Sequence, residues 1–156
     1  MKKLPLLPTI IGTGFGSGFW PWGPGTAGAL TGMLIWYALS FMLNSTLLFA
    51  VTLSCIVVFT IAGTWAVRRL SPFWGSDPQK VVIDEMVGVW VPLLAVPASD
   101  IWLALASFVL FRLFDILKPL GIRTLDRRKG AFYVMADDIL AGVYSLIIIV
   151  AAQWII

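Results

Sequence analysis

Apolar residues in this chain fall into long runs separated by short polar or turn-forming breaks. A short run covers Leu4 to Ile11, and longer ones cover Ala27 to Leu43, Thr46 to Val67, Val81 to Pro97, Ile101 to Leu117 and Ala136 to Ile156. Runs of this kind predict membrane-crossing helices. The first long run would span roughly 25 Å as a helix, slightly short for a bilayer core. The second is the cleanest and is closed by Arg68 and Arg69. The third has Asp84 and Glu85 near its start, Gly88 one turn after Asp84, and Pro92 inside, which predicts a short kinked span with re-entry as the alternative. The fourth ends at Lys118 and Pro119. The fifth opens on Asp137 and Asp138. Asn44 with Ser45, Ser71 through Pro78, and Ala98 through Asp100 read as connections. The predicted fold class is all-α: a polytopic membrane helical bundle of about five spans, forming a single domain over 1–156.

The stretch before the first long run is different. Glycine occupies every second position from Gly12 to Gly18, and Pro21, Pro24 and Gly25 follow. Such backbone can approach another segment or an anionic group closely, which predicts a Gly/Pro-rich re-entrant or interfacial segment. It lacks the spacing and lysine of a phosphate-binding P-loop. A purely structural turn and one lining an active site both remain open. In the second case Ser17 and Thr26 would reach the substrate. Thr26 is also expected to cap the first spanning helix.

Composition agrees with the pattern. Of 156 residues 60% are hydrophobic and only 12% charged, and mean hydropathy is +0.94. A soluble domain is nearer half apolar and a quarter charged. The basic start, broken early by Pro5 and Gly12, is not expected to be a cleaved signal peptide. Cys55 lies alone in an apolar run and excludes an internal disulfide. The sequence has no histidine, which leaves carboxylates as metal ligands and acid–base groups.

The net charge of +3 is unevenly placed. Lys2 and Lys3, then Arg68 to Lys80, then Lys118 to Lys129 all fall on one side when five spans are counted. The positive-inside rule puts that side in the cytoplasm and the C-terminus outside. Such clusters suit an anionic membrane face and not nucleic acid. Asp84, Glu85, Asp115, Asp126, Asp137 and Asp138 then gather at the same face.

If the three helices bearing these acids come together, their carboxylates meet at one depth, at a high cost in repulsion and lost hydration unless a cation is present. All-oxygen ligation suits Mg²⁺. Asp84, Glu85, Asp137 and Asp138 are the expected metal ligands, and with Asp115 the expected catalytic acids. Helix capping would account for each pair separately but not for their accumulation. Asp115, one turn from Arg112, could alternatively form an internal ion pair. Arg112, Lys118 and Arg123 are the expected phosphate contacts, while Arg127, Arg128 and Lys129 read as inside-face or headgroup charges. Together these point to metal-assisted phosphate chemistry on an anionic lipid, by water attack or through an aspartyl-phosphate.

The chain resembles the phosphatidylglycerophosphatase A family from about Gly14 to Gly142. The matching blocks are GFGSG at Gly14 to Gly18, PGTAG at Pro24 to Gly28, VIDEMVGVW at Val82 to Trp90, FRLFDILKPLGIRTLD at Phe111 to Asp126, and MADDILAG at Met135 to Gly142. The family's glycine pair before the last block appears as Gly130 and Ala131, followed by a bulkier Phe132 to Val134. The resemblance implies Mg²⁺-dependent removal of the terminal phosphate of phosphatidylglycerophosphate, giving phosphatidylglycerol, at the cytoplasmic face of a bacterial inner membrane. It implicates Asp84, Glu85, Asp115, Asp137 and Asp138, with Arg112 and Lys118 on the phosphate. No obligate protein partner is implied. The alternatives are another membrane phospholipid-phosphate enzyme or a small transporter. The aspartate arrangement of the CDP-alcohol phosphotransferases is absent, and the outer halves of the runs carry almost no charge for an ion route.

Overall fold

The computed structural model describes residues 3–76, 78–119 and 121–155. Lys2, Asp77, Leu120 and the Ile156 end of the fifth expected span lie outside the described residues. All regular structure among those described is helical. The helices are α1 (Leu6–Gly12), α2 (Pro24–Ser40), α3 (Ser45–Trp74), α4 (Ile83–Leu93), α5 (Ile101–Leu117), α6 (Ile122–Asp126) and α7 (Ala131–Ile155).

Local signals set several boundaries. Asn44 accepts a hydrogen bond from the Leu47 amide and starts α3. Asp100 does the same for α5 through the Leu103 amide; each side chain satisfies an amide that the first turn leaves unpaired. Lys118 ends α5 in the left-handed region, its amide bonded to the Phe114 carbonyl, and Pro119 follows.

Other boundaries differ from expectation. α2 starts at Pro24 behind Gly23, whose φ is +75°, so Thr26 sits inside the first turn and does not cap it. α3 continues past Arg68 and Arg69 and through Pro72. The proline removes the amide that the Arg68 carbonyl would accept from, and the Ser71 hydroxyl donates to that carbonyl instead. α7 begins at Ala131, just after Gly130 (φ +136°). Asp137 and Asp138 therefore lie in its second turn and do not open it.

The largest correction concerns span count. Only two helices among the described residues, α3 and α7, are long and apolar enough to cross a membrane. α2 and α5 stop at 17 residues, about 25 Å. α4 has 11 residues, about 16 Å, far short of a hydrocarbon core. Pro92 lies in its last turn and does not kink its middle. Every residue of α4 except Glu85 is buried, so the third expected span is an interior helix.

α4 is the axis of the fold, and small residues on its neighbours let them close around it. Against α2, a Cβ on Gly28 would lie 2.6 Å from Val82 Cβ and one on Gly32 2.9 Å from Met86 Cγ. The Trp90 indole donates to the Gly32 carbonyl at 2.9 Å. Against α7, Gly142 faces the Gly88 carbonyl and Val91. The N-terminal segment is tied in as well, since the Val82 amide donates to the Gly12 carbonyl at 2.8 Å.

The exterior is apolar. Val57, Val58, Ile61, Val109, Ile116 and Ile147 are exposed along the outer helix faces, where a water-soluble protein would place polar groups. Exposed tryptophans mark both ends. Trp20 and Trp22 stand at one, and Trp102 and Trp154 at the other. Tryptophan at the two ends of an apolar girdle suits the interfaces of a bilayer. The far end is joined by the Ser99 amide donating to Ser40 Oγ (3.2 Å) and Gln153 donating to the Ala95 carbonyl (2.8 Å).

Candidate active site

α4 and α7 run in the same direction, and each carries an aspartate one turn ahead of a glycine: Asp84 with Gly88, and Asp138 with Gly142. A Cβ on Gly88 would lie 2.9 Å from the Asp138 carbonyl oxygen and 2.6 Å from Phe111 Cζ. The bare glycines let the two backbones touch, so the aspartates of the preceding turn are set side by side. Asp84, Glu85 and Asp138 consequently offer carboxylate oxygens that all lie within 4.8 Å of one another.

Asp84 and Asp138 are buried. Asp84 Oδ1 and Glu85 Oε2 have no hydrogen-bond partner among the described residues. Unpaired carboxylates packed this closely away from water are costly. A buried all-oxygen donor set with unused lone pairs fits a hard divalent cation.

Two cationic groups stand beside the acids. Arg112 pairs with Asp115, one turn on along α5, and its Nη1 is 3.9 Å from Glu85 Oε1. Its Nε is buried without a partner among the described residues. Asp115 thus holds the guanidinium over the carboxylate cluster. Lys118 bonds Asp137 at 2.8 Å and also Asp126 of α6. Burial opposes the charge on Lys118, but Asp126 and Asp137 outweigh it and hold its pKa above the ordinary lysine value. Lys118 therefore keeps its proton across the physiological range and acts as a fixed charge.

The acids and cations line an open pocket of about 600 Å³ at one end of the bundle. Arg127, Arg128 and Lys129 stand at its mouth, with Arg128 over the Tyr133 ring at 5.5 Å. Among the described residues, six carboxylates face this space together with Arg112, Lys118 and the three mouth cations. Its deep part, where Asp84, Glu85 and Asp138 meet, is anionic. A phosphate dianion entering there would be repelled unless a metal cation neutralised the floor.

The structure divides the expected residues. Asp84, Glu85 and Asp138 come together; Asp137 turns away to Lys118. Asp115 and Arg112 form the internal pair and also line the pocket. Arg123 is exposed, donating to the Leu117 carbonyl at 3.2 Å, and is not among the pocket's lining residues. Ser17 donates to the Gly14 carbonyl at 2.9 Å. Ser17 and Thr26 line a neighbouring apolar cavity instead of the acidic pocket.

Two residues acquire a specific role only in the structure. Gly25 lies against Glu85 Oε1, so any side chain there would collide with the cluster. Asp126 fixes Lys118 from the α6 side. The PGTAG block held the signal for the first; nothing local marks the second.

The sequence pattern of a family described as phosphatidylglycerophosphatase A matches residues 10–153. A putative phosphatidylinositol-3-phosphatase of Bacteroides thetaiotaomicron is 56% identical, over 100% of this chain and 99% of its own. Phosphatidylglycerophosphatase A of Haemophilus influenzae is 36% identical over 99% of this chain and 94% of its own. Its Escherichia coli namesake is 36% identical over 87% and 77%. No solved structure matches the chain.

Proposed function

We propose, from the premise that this chain belongs to the phosphatidylglycerophosphatase A family and is a phosphatase, that it removes the terminal phosphate of phosphatidylglycerophosphate in a Mg²⁺-dependent reaction. The observation that carries this reading is the cluster of buried Asp84 and Asp138 with half-buried Glu85, in which Asp84 Oδ1 and Glu85 Oε2 have no partner among the described residues, set beside Arg112 at the end of an apolar bundle. The whole chain, 1–156, acts as one phosphatase domain. α3 and α7 cross the bilayer, and the shorter α2 and α5 pack with them around α4. The basic pocket end faces the cytoplasm of a bacterium, and the N-terminal segment lies at that interface.

In this reading Asp84, Glu85 and Asp138 hold Mg²⁺, with Asp137 and Lys118 beside them. The bound ion supplies Lewis-acid stabilisation of charge at the phosphoryl group. Arg112, oriented by its pairing with Asp115, donates to phosphoryl oxygens through the accessible part of its guanidinium, and Lys118 adds a second fixed positive charge. Arg127, Arg128 and Lys129 draw the anionic headgroup to the mouth. One water is consumed: its oxygen ends on phosphorus, the phosphorus–oxygen ester bond breaks, and the lipid alkoxide takes a proton to become phosphatidylglycerol.

A second reading has the same chemistry on a phosphoinositide. The relative that is 56% identical favours it. Phosphate release from phosphatidylglycerophosphate and from phosphatidylinositol 3-phosphate, each in mixed micelles with Mg²⁺, separates the two. We expect kcat/KM to favour phosphatidylglycerophosphate by about tenfold or more. The reverse preference would assign the enzyme to the inositol lipid, and release from neither would overturn the proposed function.

A further inference from the structure

Beside the acidic pocket lies a second cavity of about 550 Å³, between the Gly/Pro-rich segment and α2. The two cavities share Pro21 and Gly23. From that junction the second runs along α2 past Ala27, Leu30, Thr31 and Leu34, away from the pocket end and toward the middle of the apolar girdle. Its other wall is formed by Trp20 and Trp22, set edge to face at 6.2 Å. Trp22 is 81% exposed.

The fold leaves this face open by construction. α2 turns Gly28 and Gly32 inward to meet α4, and Leu30 and Leu34 remain exposed. The N-terminal wall is set by fixed backbone. Gly18 lies against the Lys80 carbonyl, where a Cβ would collide, and Gly16 and Gly23 have φ of +98° and +75°. Lys80 sits over the Phe19 ring at 5.9 Å and the Trp74 ring at 5.7 Å, which anchors the loop from behind. A cavity of this volume is in the range of a lipid-sized ligand site. Among the described residues no charged side chain lines it; its hydroxyls come from Ser17, Thr26 and Thr31, and the Thr31 hydroxyl is bonded to the Ala27 carbonyl at 2.8 Å.

We propose that this cavity is the acyl-chain site of the enzyme. With the phosphate in the acidic pocket, the lipid's glycerol crosses the Pro21 and Gly23 junction and one acyl chain lies along α2 between Trp22 and Leu34. This rests on the lipid-phosphatase reading and adds to it a site that selects substrate by chain. It gives the Gly/Pro-rich segment its use: the segment is the wall that separates one chain of the substrate from bulk lipid. Ala27 to Leu34 covers about 10 Å of helix, so Leu30 meets the upper part of a chain and Leu34 a deeper part.

The test is depth-dependent. Leu34→Trp is expected to raise KM for dioleoyl phosphatidylglycerophosphate about tenfold while leaving the dihexanoyl lipid unchanged, and Leu30→Trp is expected to raise both. A fold defect would impair both substrates equally in both variants, and that result would overturn the proposal. A second measurement is independent of turnover. Wild-type protein is irradiated in mixed micelles with a phosphatidylglycerophosphate carrying a diazirine near the end of one acyl chain. Labelling concentrated in the peptide 19–34 supports the site. Labelling spread over the outer faces of α3 and α5 overturns it. If the wild type hydrolyses no phosphorylated lipid, the functional reading fails, and the labelling pattern still decides the cavity.

Discussion

Asp138→Asn and Asp84→Asn are each expected to lower phosphate release by about 10³-fold or more. The helices themselves should survive. Asparagine keeps the size of the side chain, and removing one of three crowded charges relieves repulsion. In EDTA these variants should therefore melt no lower than the wild type. With saturating Mg²⁺ the wild type alone should gain stability, because only its carboxylates bind the ion that stabilises the folded state. Asp137→Asn gives the contrast. Its carboxylate bonds Lys118, which keeps Asp126 as a partner, so a smaller loss of about tenfold is expected. Steady-state release and thermal unfolding in detergent, each with and without Mg²⁺, measure all three. Equal losses at Asp137 and Asp138 would contradict the division of labour between neighbouring residues.

Gly88→Leu is expected to damage stability and activity together. Even a Cβ at this position meets the Phe111 ring and the Asp138 carbonyl, so a larger side chain must push α7 or α5 away from α4. Overpacking of this kind costs about 1–3 kcal/mol and sometimes more. The same displacement separates Asp138 from Asp84 and dissolves the carboxylate cluster. Gly88→Ala should show a smaller loss in the same two quantities. Melting temperature and turnover, plotted for the three proteins, should fall in parallel. A Gly88→Leu protein with full activity would mean that close contact of α4 and α7 does not build the site.

How much of this was readable beforehand depends on whether the deciding interaction is local. α5 falls at Ile101–Leu117 as expected, because Asp100 and the Lys118 and Pro119 stop both act within one turn. The sequence places the start of α7 near Asp137, since charge at the edge of an apolar run looks like a boundary. The backbone begins the helix at Ala131, just after Gly130 in the positive-φ region, regardless of polarity. α4 differs for the opposite reason: apolar on all sides beyond its first-turn acids, it reads as lipid-facing, yet it is wrapped by protein. Hydropathy cannot distinguish those surroundings.

The site shows the same divide. Counting spans brings the acids to one face of the bundle, which a sequence can suggest. Choosing between Asp137 and Asp138 requires knowing which side of α7 meets α4, because adjacent residues on a helix point about 100° apart. A usable signal was present in the repeated spacing of Asp84 with Gly88 and Asp138 with Gly142. Each glycine marks the contact line of its helix, and the aspartate one turn before it lies on that line. The sequence places Arg123 with Arg112 and Lys118 beside the acids, but α6 leaves it exposed.

The central claim is that carboxylates from α4 and α7 hold a divalent ion required for release of lipid phosphate. Its most direct measurement is inorganic phosphate released from phosphatidylglycerophosphate by detergent-purified protein, after EDTA treatment and then on titration with Mg²⁺. The account predicts release falling to background in EDTA, saturable restoration by Mg²⁺, and no restoration in Asp138→Asn at concentrations that saturate the wild type. Undiminished release in EDTA, or a Mg²⁺ response in Asp138→Asn identical to that of the wild type, would contradict it.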